Sequence, residues 1–154
     1  MKAEYVNSFY QATTDVFQLM LDLQAERGTL KLLEDMVLSK DASVILGVTG
    51  DLRGTILFTF PKDMVLEMVK IMSGMEMAEI DSFVSSAIGE VANIIGGNAV
   101  TILANHDYTC DIATPQVLIG EYKSLSVGNE KALLLPLITS IGEFEIALFL
   151  KEKQ

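Results

Sequence analysis

The residues with most to offer chemistry lie close together, in the stretch 82–97. Five polar or small residues follow one another there at steps of four, four, three and four positions: Ser82, Ser86, Glu90, Asn93 and Gly97. Because helix residues three or four positions apart lie one turn apart, this spacing predicts that the Glu90 carboxylate and the Asn93 amide project side by side into solvent. Gly89 and Gly96 lie among them, and small residues around a polar pair would let another macromolecule approach the helix closely.

Spacing alone leaves a simpler alternative open, in which this stripe is an ordinary solvated helix face. The other side of the same stretch is apolar at helical spacing and must face a core: Ile80, Val84, Ala87, Ile88, Val91 and Ile95. An amphipathic helix needs a polar outer face whatever its residues are. The pair formed by Glu90 and Asn93 therefore needs support beyond its spacing before it indicates a site.

Other familiar kinds of site are missing from the sequence. His106 is the single histidine and Cys110 the single cysteine, which excludes a His/Cys metal cluster and an intrachain disulfide. Neither of the two common glycine-rich nucleotide loops occurs. We interpret His106 as closing a helix, where an imidazole interacts favourably with the helix dipole, and Cys110 as a small buried hydrophobe.

Composition narrows the class of protein. The 154 residues predict a single domain over 1–154, and the 50% hydrophobic and 21% charged residues exclude a disordered chain. The net charge of −10 argues against nucleic acid or an anionic membrane as a partner. No membrane span is expected, because proline, glycine and glutamate interrupt the C-terminal apolar stretch. Acidic residues near the N-terminus argue against an export signal, and the lone cysteine fits a reducing cytoplasm.

Hydrophobic periodicity predicts about three helices and five strands. Helices are expected at 3–26, 61–74 and 77–104. Strands are expected in a hairpin at 43–60 and in three later segments, 117–127, 132–139 and 144–152, with turns at 128–130 and 140–142. The segment 29–38 is a connector of undetermined type. Because strands follow strands, the pattern indicates an α+β fold, an antiparallel or mixed sheet with the helices on one face.

The chain also contains a faint internal repeat. A shift of 75 positions aligns Asp15 with Glu90 and Gln18 with Asn93. A strand pair with an apolar run accompanies each helix, GTILFTF in the first half and FEIALFL in the second. Chance similarity between two amphipathic helices is the alternative. A genuine duplication would give the fold a pseudo-twofold axis.

The sequence resembles the CheC/CheX/FliY family of chemotaxis phosphatases. The family signature is an Asp or Ser, then a Glu, an Asn and a more distant proline, and four residues match it here: Ser86, Glu90, Asn93 and Pro115. The 21 residues between Asn93 and Pro115 are one fewer than is usual. The pair Ser82–Phe83 and the run GEVANIIGGNA, Gly89–Ala99, are also similar to the family. A single intact motif makes the chain resemble CheX, because CheC proteins typically carry two.

The resemblance implies a mechanism and a partner. The family's substrate is the phosphorylated aspartate of a CheY-type response regulator, so Asn93 would orient the attacking water and Glu90 would pair with a regulator lysine. The regulator would supply Mg²⁺, and this chain would need no cofactor of its own. Four more residues would border the bound partner or shape the site: Ser86, Gly89, Gly97 and Pro115. Asp15 and Gln18, which lack the Glu/Asn chemistry, would have no catalytic role.

The resemblance also implies a homodimer joined through the sheets. The predicted strands give an independent reason to expect one, because they carry more apolar surface than helices on one face would cover. The alternative is a monomer in which the connector 29–38 folds over the edge of the sheet.

Two other functions remain open. The same fold could be a non-catalytic module that binds a response regulator or joins a flagellar switch. The chain could also be an acidic oligomeric structural protein with no phosphorylated substrate. The intact Glu90 and Asn93 pair favours the phosphatase, because a protein that only binds has no need of an amide at that position.

Overall fold

The computed structural model describes residues 2–37, 41–120 and 125–153, and the side chains among them other than those of 33–37 and 125–131. Three helices lie in these ranges: α1 (Ala3–Leu21), α2 (Lys62–Ser73) and α3 (Ser82–Ala104). The strands are β1 (Glu26–Arg27), β2 (Lys31–Val37), β3 (Ala42–Gly50), β4 (Leu52–Phe60), β5 (Cys110–Ile112), β6 (Gln116–Ile119), β7 (Leu125–Thr139) and β8 (Gly142–Glu152). All eight strands join one sheet, so the predicted α+β fold is confirmed.

The sheet combines two similar halves. Its order is β1-β7-β8-β4-β3-β5, with β2 beside β7 and β6 beside β3, and every pairing is antiparallel. Each half supplies a helix, two short strands and a hairpin, and the hairpins β3–β4 and β7–β8 meet where β4 pairs with β8. The short strands cross over, because β1 and β2 pair with the second hairpin while β5 and β6 pair with the first. The internal repeat in the sequence is therefore a pseudo-twofold relation within the sheet.

The main core lies between the helices and one face of the sheet. At its centre the Phe144 ring of β8 stacks on Phe17 of α1 and Phe60 of β4, with centroid distances of 5.1 and 4.8 Å. The opposite face of the sheet carries a smaller buried cluster: Leu57, Ala132, Leu134, Ala147 and Phe149. The helices thus cover one face, as predicted, and the other face is buried at its centre within a single chain.

The first helix ends earlier than the predicted residue 26. It stops at Leu21 because Asp22 takes the left-handed conformation, with φ of 54°. Aspartate enters this region more readily than most residues other than glycine. The N–H of Asp22 donates to the Gln18 carbonyl and that of Leu23 to the Phe17 carbonyl, which satisfies the end of the helix. Ala25 then turns into the core, and strand β1 follows.

One prediction about the strands is wrong, and one segment that the sequence left undetermined proves to be a strand. The chain does not reverse at the turn expected at 128–130, because β7 continues through it and pairs with β2 at Ser126 and at Lys131, on both sides of this region. The connector of undetermined type is largely strand β2, whose pairing with β7 has a register shift between Glu34 and Met36. Its residue 38, and residues 121–124 of the strand predicted at 117–127, lie outside the described residues. The hairpin at 43–60, the helix from Pro61 to Gly74 and the final strand are confirmed.

Helix α3 begins at Ser82, later than the predicted residue 77. The Asp81 side chain accepts a hydrogen bond from the Val84 N–H at 2.9 Å and so caps the first turn. This helix is long and apolar enough to span a bilayer by length and composition. Its apolar side is packed on the sheet, with Ile88 and Ile95 almost fully buried. Its hydropathy is therefore that of a core helix.

A polar cluster joins the start of α1 to the end of β8 and to the turn that follows α3. Lys2 Nζ lies 2.9 Å from Glu152 Oε1, and the Tyr5 hydroxyl donates to the same oxygen at 2.9 Å. Burial raises the pKa of Tyr5, and the hydrogen bond from Lys2 lowers the pKa of Glu152. His106 lies in the turn that follows α3, as predicted, with Nδ1 3.8 Å from Glu4 Oε2.

Alanine substitutions at two adjacent glycines of α3 distinguish the effect of helix propensity from that of packing. A Cβ at Gly96 would lie 2.4 Å from Leu46 Cδ2 and 3.2 Å from Ile112 Cδ1, whereas one at Gly97 would meet nothing within 4 Å. We expect Gly97→Ala to raise the free energy of unfolding by up to about 1 kcal/mol. Gly96→Ala makes the same gain in helix propensity but crowds the core. The free energy of unfolding of Gly96→Ala should therefore be roughly 1–3 kcal/mol lower than that of Gly97→Ala. Urea unfolding of the two variants measures the difference, and equal stabilities would contradict this packing.

Candidate active site

An open groove of about 600 Å³ runs between helix α3 and the segment that joins β5 to β6. The helix contributes Ser85, Ser86, Gly89, Glu90 and Asn93 to its lining. The opposite wall is formed by Ile112, Ala113, Thr114, Pro115 and Val117. Among the described residues of this lining, Glu90 is the one ionisable side chain, so they form a weakly charged cleft with a single carboxylate.

Most of the residues predicted from the sequence meet in this groove. Ser86, Glu90 and Asn93 lie along one side of it, and Pro115 faces them from the other side. Gly89 also lines it, while Gly97 lies one turn beyond Asn93 and outside the lining. The sequence motif therefore corresponds to one continuous surface, although its members come from a helix and a separate loop.

The helix presents this pair because its other face is held by the core. The predicted apolar stripe is buried at Val84, Ile88, Val91 and Ile95. Opposite it, Glu90 is exposed and Asn93 is half-buried. In the described part of the chain, no hydrogen bond or ion pair occupies the Glu90 carboxylate or the Asn93 amide. Both groups are free to bind a partner.

The expectation that the glycines lower the outward surface is wrong for Gly96. Gly96 faces inward and lets the helix approach Leu46 and Ile112. Gly89 is buried, and a Cβ there would lie 3.1 Å from Val117 Cγ2, so it keeps α3 close to strand β6. Gly97 does open the outer surface, since nothing lies within 4 Å of its missing Cβ.

Sequence reasoning missed Ser85, Val117 and the segment 112–114. Pro115 is the one residue of that wall that belongs to the family signature. The residues next to it in the sequence could have been predicted to line the site with it. Their side chains line the groove because β5 and β6 both pair with β3, which holds the intervening segment beside α3.

The first half of the fold has no equivalent open pair. Asp15 Oδ1 accepts a hydrogen bond from Gln11 at 2.9 Å, and Gln18 donates to Asp22 at 3.0 Å. Strand β1 pairs with the second hairpin as β5 pairs with the first. The Arg27 guanidinium of β1 lies 5.5 Å from the centre of the Tyr10 ring, which covers the helix there. The polar groups of this half are thus bonded within their own helix.

The geometry agrees with the comparison to known families. The family model described as Chemotaxis phosphatase CheX matches residues 42–137, which include the whole of α3 and the groove. The chain belongs to the CheX family. The family predicted from the sequence is confirmed, and with it the class of enzyme, a phosphatase.

Known CheX proteins are similar along the whole chain. The CheY-P phosphatase CheX of Thermotoga maritima is 26% identical over 154 residues, which is 99% of this chain and 98% of that protein. The structure of a chemotaxis protein CheX from Desulfovibrio desulfuricans is 30% identical, with a TM-score of 0.86 over 97% of this chain and 99% of that one. A CheX–CheY–BeF₃–Mg²⁺ complex from Borrelia burgdorferi contains a similar chain at 27% identity, with a TM-score of 0.82 over 96% and 98% of the two chains.

The contrast between the two halves of this CheX-family fold predicts which helix carries activity. Asp15 and Gln18 are bonded to neighbours on α1 and lack the Glu/Asn chemistry. We expect the double variant Asp15→Ala, Gln18→Ala to retain phosphatase activity within about a factor of two, because both side chains are exposed and outside the groove. Decay of phosphorylated receiver domains measures it. A large loss with an unchanged melting temperature would place a working site on α1.

Proposed function

We propose that this CheX-family chain hydrolyses the phosphorylated aspartate of a CheY-type response regulator, with Asn93 orienting the attacking water and Glu90 anchoring the regulator. The observation that carries the proposal is an exposed carboxylate and a half-buried amide, both without a partner in the described part of the chain, one turn apart in an open groove. The name of the Thermotoga relative, a CheY-P phosphatase, supports the same substrate.

The chemistry suits an amide held in the right place. Hydrolysis of an acyl phosphate requires water in line with the leaving carboxylate, and positioning supplies most of the catalysis. The side-chain oxygen of Asn93 can accept a hydrogen bond from that water, and its NH₂ group can donate to a phosphoryl oxygen. No nucleophilic side chain is required, and the groove lining has none beyond serine and threonine hydroxyls.

Glu90 suits the role of an anchor. An exposed carboxylate beside Asn93 can form a charge-assisted hydrogen bond with a lysine near the regulator's phosphorylation site. That contact would hold the amide in register with the phosphoryl group. Because helix α3 is fixed by its buried face, the two side chains keep their spacing when the partner binds.

Four further residues complete the proposed contact surface. Ser86 is exposed one turn before Glu90, and Pro115 shapes the opposite wall. Gly89 keeps the groove narrow, and Gly97 leaves room for the partner beyond Asn93. We also propose that Mg²⁺ arrives with the regulator, as the composition of the Borrelia complex suggests, and that the reaction takes place in the cytoplasm.

The two side chains should fail in different ways when removed. Asn93→Ala should lower kcat by roughly two orders of magnitude or more, because the water loses its orientation. Glu90→Ala should mainly raise KM, because the anchor to the regulator is lost. Both residues face the groove, so the free energy of unfolding of each variant should stay within about 0.5 kcal/mol of that of the parent protein. Stopped reactions with phosphorylated receiver domains at several concentrations separate kcat from KM.

The same assay distinguishes the alternatives. If the parent chain binds an activated receiver domain without speeding its dephosphorylation, the chain is a binding module. If it neither binds nor dephosphorylates any receiver domain from the same genome, it is a structural protein. An Asn93→Ala variant with full activity would assign the water to another group.

We further propose that the chain forms a homodimer through its sheet. Among the described residues, no strand pairs with the outer edges of β1–β2 and β5–β6, and unpaired edges favour association. Leu32 on β2 is 60% exposed, and Ile138 on the adjoining strand β7 is also exposed. Leu134, by contrast, is only 7% exposed and belongs to the cluster inside one chain, so charging it would unfold the protein rather than separate two copies.

Charging the exposed edge should therefore separate the dimer. At micromolar concentration, light scattering should give about twice 16.8 kDa for the parent chain. Leu32→Lys should give a folded monomer, because it places a charge at the proposed interface. Leu19→Lys is the matched control, since Leu19 is exposed on helix α1 away from the sheet edge, and should leave the dimer intact. A parent chain of monomer mass would contradict the proposal.

A further inference from the structure

The polar stripe of α3 continues into an exposed aromatic side chain. Phe83 precedes Ser86 by three positions, and Glu90 and Asn93 follow at steps of four and three, so all four lie along one face of the helix. Phe83 is 45% exposed. It is an apolar residue at the helix start, on the surface that the proposed partner would cover.

A second exposed apolar residue lies at the same end of the groove. Val117 lines the groove, and two residues on along strand β6 Ile119 is 42% exposed. Ile119 shares a small cleft with Ile80, which lies three positions before Phe83. The cleft also contains the charged side chains of Asp41, Lys62 and Glu79. Phe83 and Ile119 are thus two exposed apolar residues, one on α3 and one on β6, at the end of the groove where α3 begins.

The acidic charge of this chain gives a short-range apolar contact more weight. The chain has a net charge of −10, and the substrate group is an anion, so long-range attraction does not favour the encounter. Glu90 can contribute one ion pair, and exposed ion pairs contribute little to affinity. Aromatic side chains supply a disproportionate share of binding energy at protein interfaces. Among the described residues, Phe83 is the one exposed aromatic on this stripe.

We infer that Phe83, supported by Ile119, is the apolar anchor that seats the response regulator, and that it packs on an apolar surface bordering the regulator's phosphorylated aspartate. The inference rests on the proposed function. It names the region of the regulator that this chain recognises. Specific recognition then depends on side chains that take no part in the hydrolysis.

The distance between Phe83 and Asn93 along the helix determines whether the anchor affects docking or the chemical step. Phe83 and Asn93 are ten residues apart, which is about 15 Å along a helix. That span fits within one protein–protein interface of ordinary size but is too long for Phe83 to touch the reacting atoms. Loss of the ring should therefore weaken docking and leave the chemical step unchanged.

The test is the steady-state dephosphorylation of receiver domains from the same genome, phosphorylated with acetyl phosphate in the presence of Mg²⁺. Phe83→Ala should raise KM about tenfold with kcat unchanged, as expected for the loss of a half-buried apolar contact. Phe83→Leu keeps most of the apolar area and should stay within about threefold of the parent chain. Direct binding to the same receiver domain activated with beryllium fluoride should show the same ranking.

Leu19→Ala is the matched control, because Leu19 is 84% exposed on α1 and lies away from the groove. It should leave both constants unchanged. If Phe83→Ala behaves like Leu19→Ala, or lowers kcat without raising KM, the anchor is wrong while the phosphatase stands. If the parent chain dephosphorylates no receiver domain, the proposed function fails, and the anchor fails with it.

Discussion

The close approach of helix α3 to the sheet is the constraint on which the site depends. The helix must bury one face completely and leave Glu90 and Asn93 uncovered on the other. Gly96 permits this, because its missing side chain leaves the space that Leu46 and Ile112 occupy. Gly89 has the same effect toward β6. A helix held farther from the sheet would widen the groove and move Glu90 and Asn93 away from the opposite wall.

The crossed arrangement of the two halves explains how one fold keeps one site. The short strands of each half pair with the hairpin of the other half. In the second half, the segment between β5 and β6 lies beside α3, and the groove forms between them. In the first half the corresponding polar groups bond to neighbours on their own helix, and Arg27 lies against Tyr10. Side chains satisfied in this way contribute to the surface of the fold but cannot bind a partner without first breaking those bonds. The duplicated architecture therefore persists where its chemistry does not.

What could be predicted from the sequence follows from the range of the interactions involved. The stripe that contains Glu90 and Asn93 is a local periodicity, so its spacing sufficed to predict which face is exposed. The end of α1 depends on the conformation of Asp22, which periodicity does not report. Strand β2 and the uninterrupted β7 depend on pairing between residues a hundred positions apart, for which a single sequence has no local signal. The inward direction of Gly96 was missed for the same reason, because a glycine fits either face of a helix until its neighbours are known.

The site also separates the chemical step from recognition. One amide and one carboxylate would suffice for the proposed hydrolysis, since positioning lowers the barrier and the proposed partner would bring the phosphoryl group, the leaving group and the metal ion. Such a pair fits many phosphorylated receiver domains equally well. Discrimination among them has to come from the surface around the pair, where Ser86, Pro115 and Phe83 border the groove or extend it along α3. Because the acidic chain gains little from long-range attraction, that discrimination should reside in dissociation rates rather than in encounter rates.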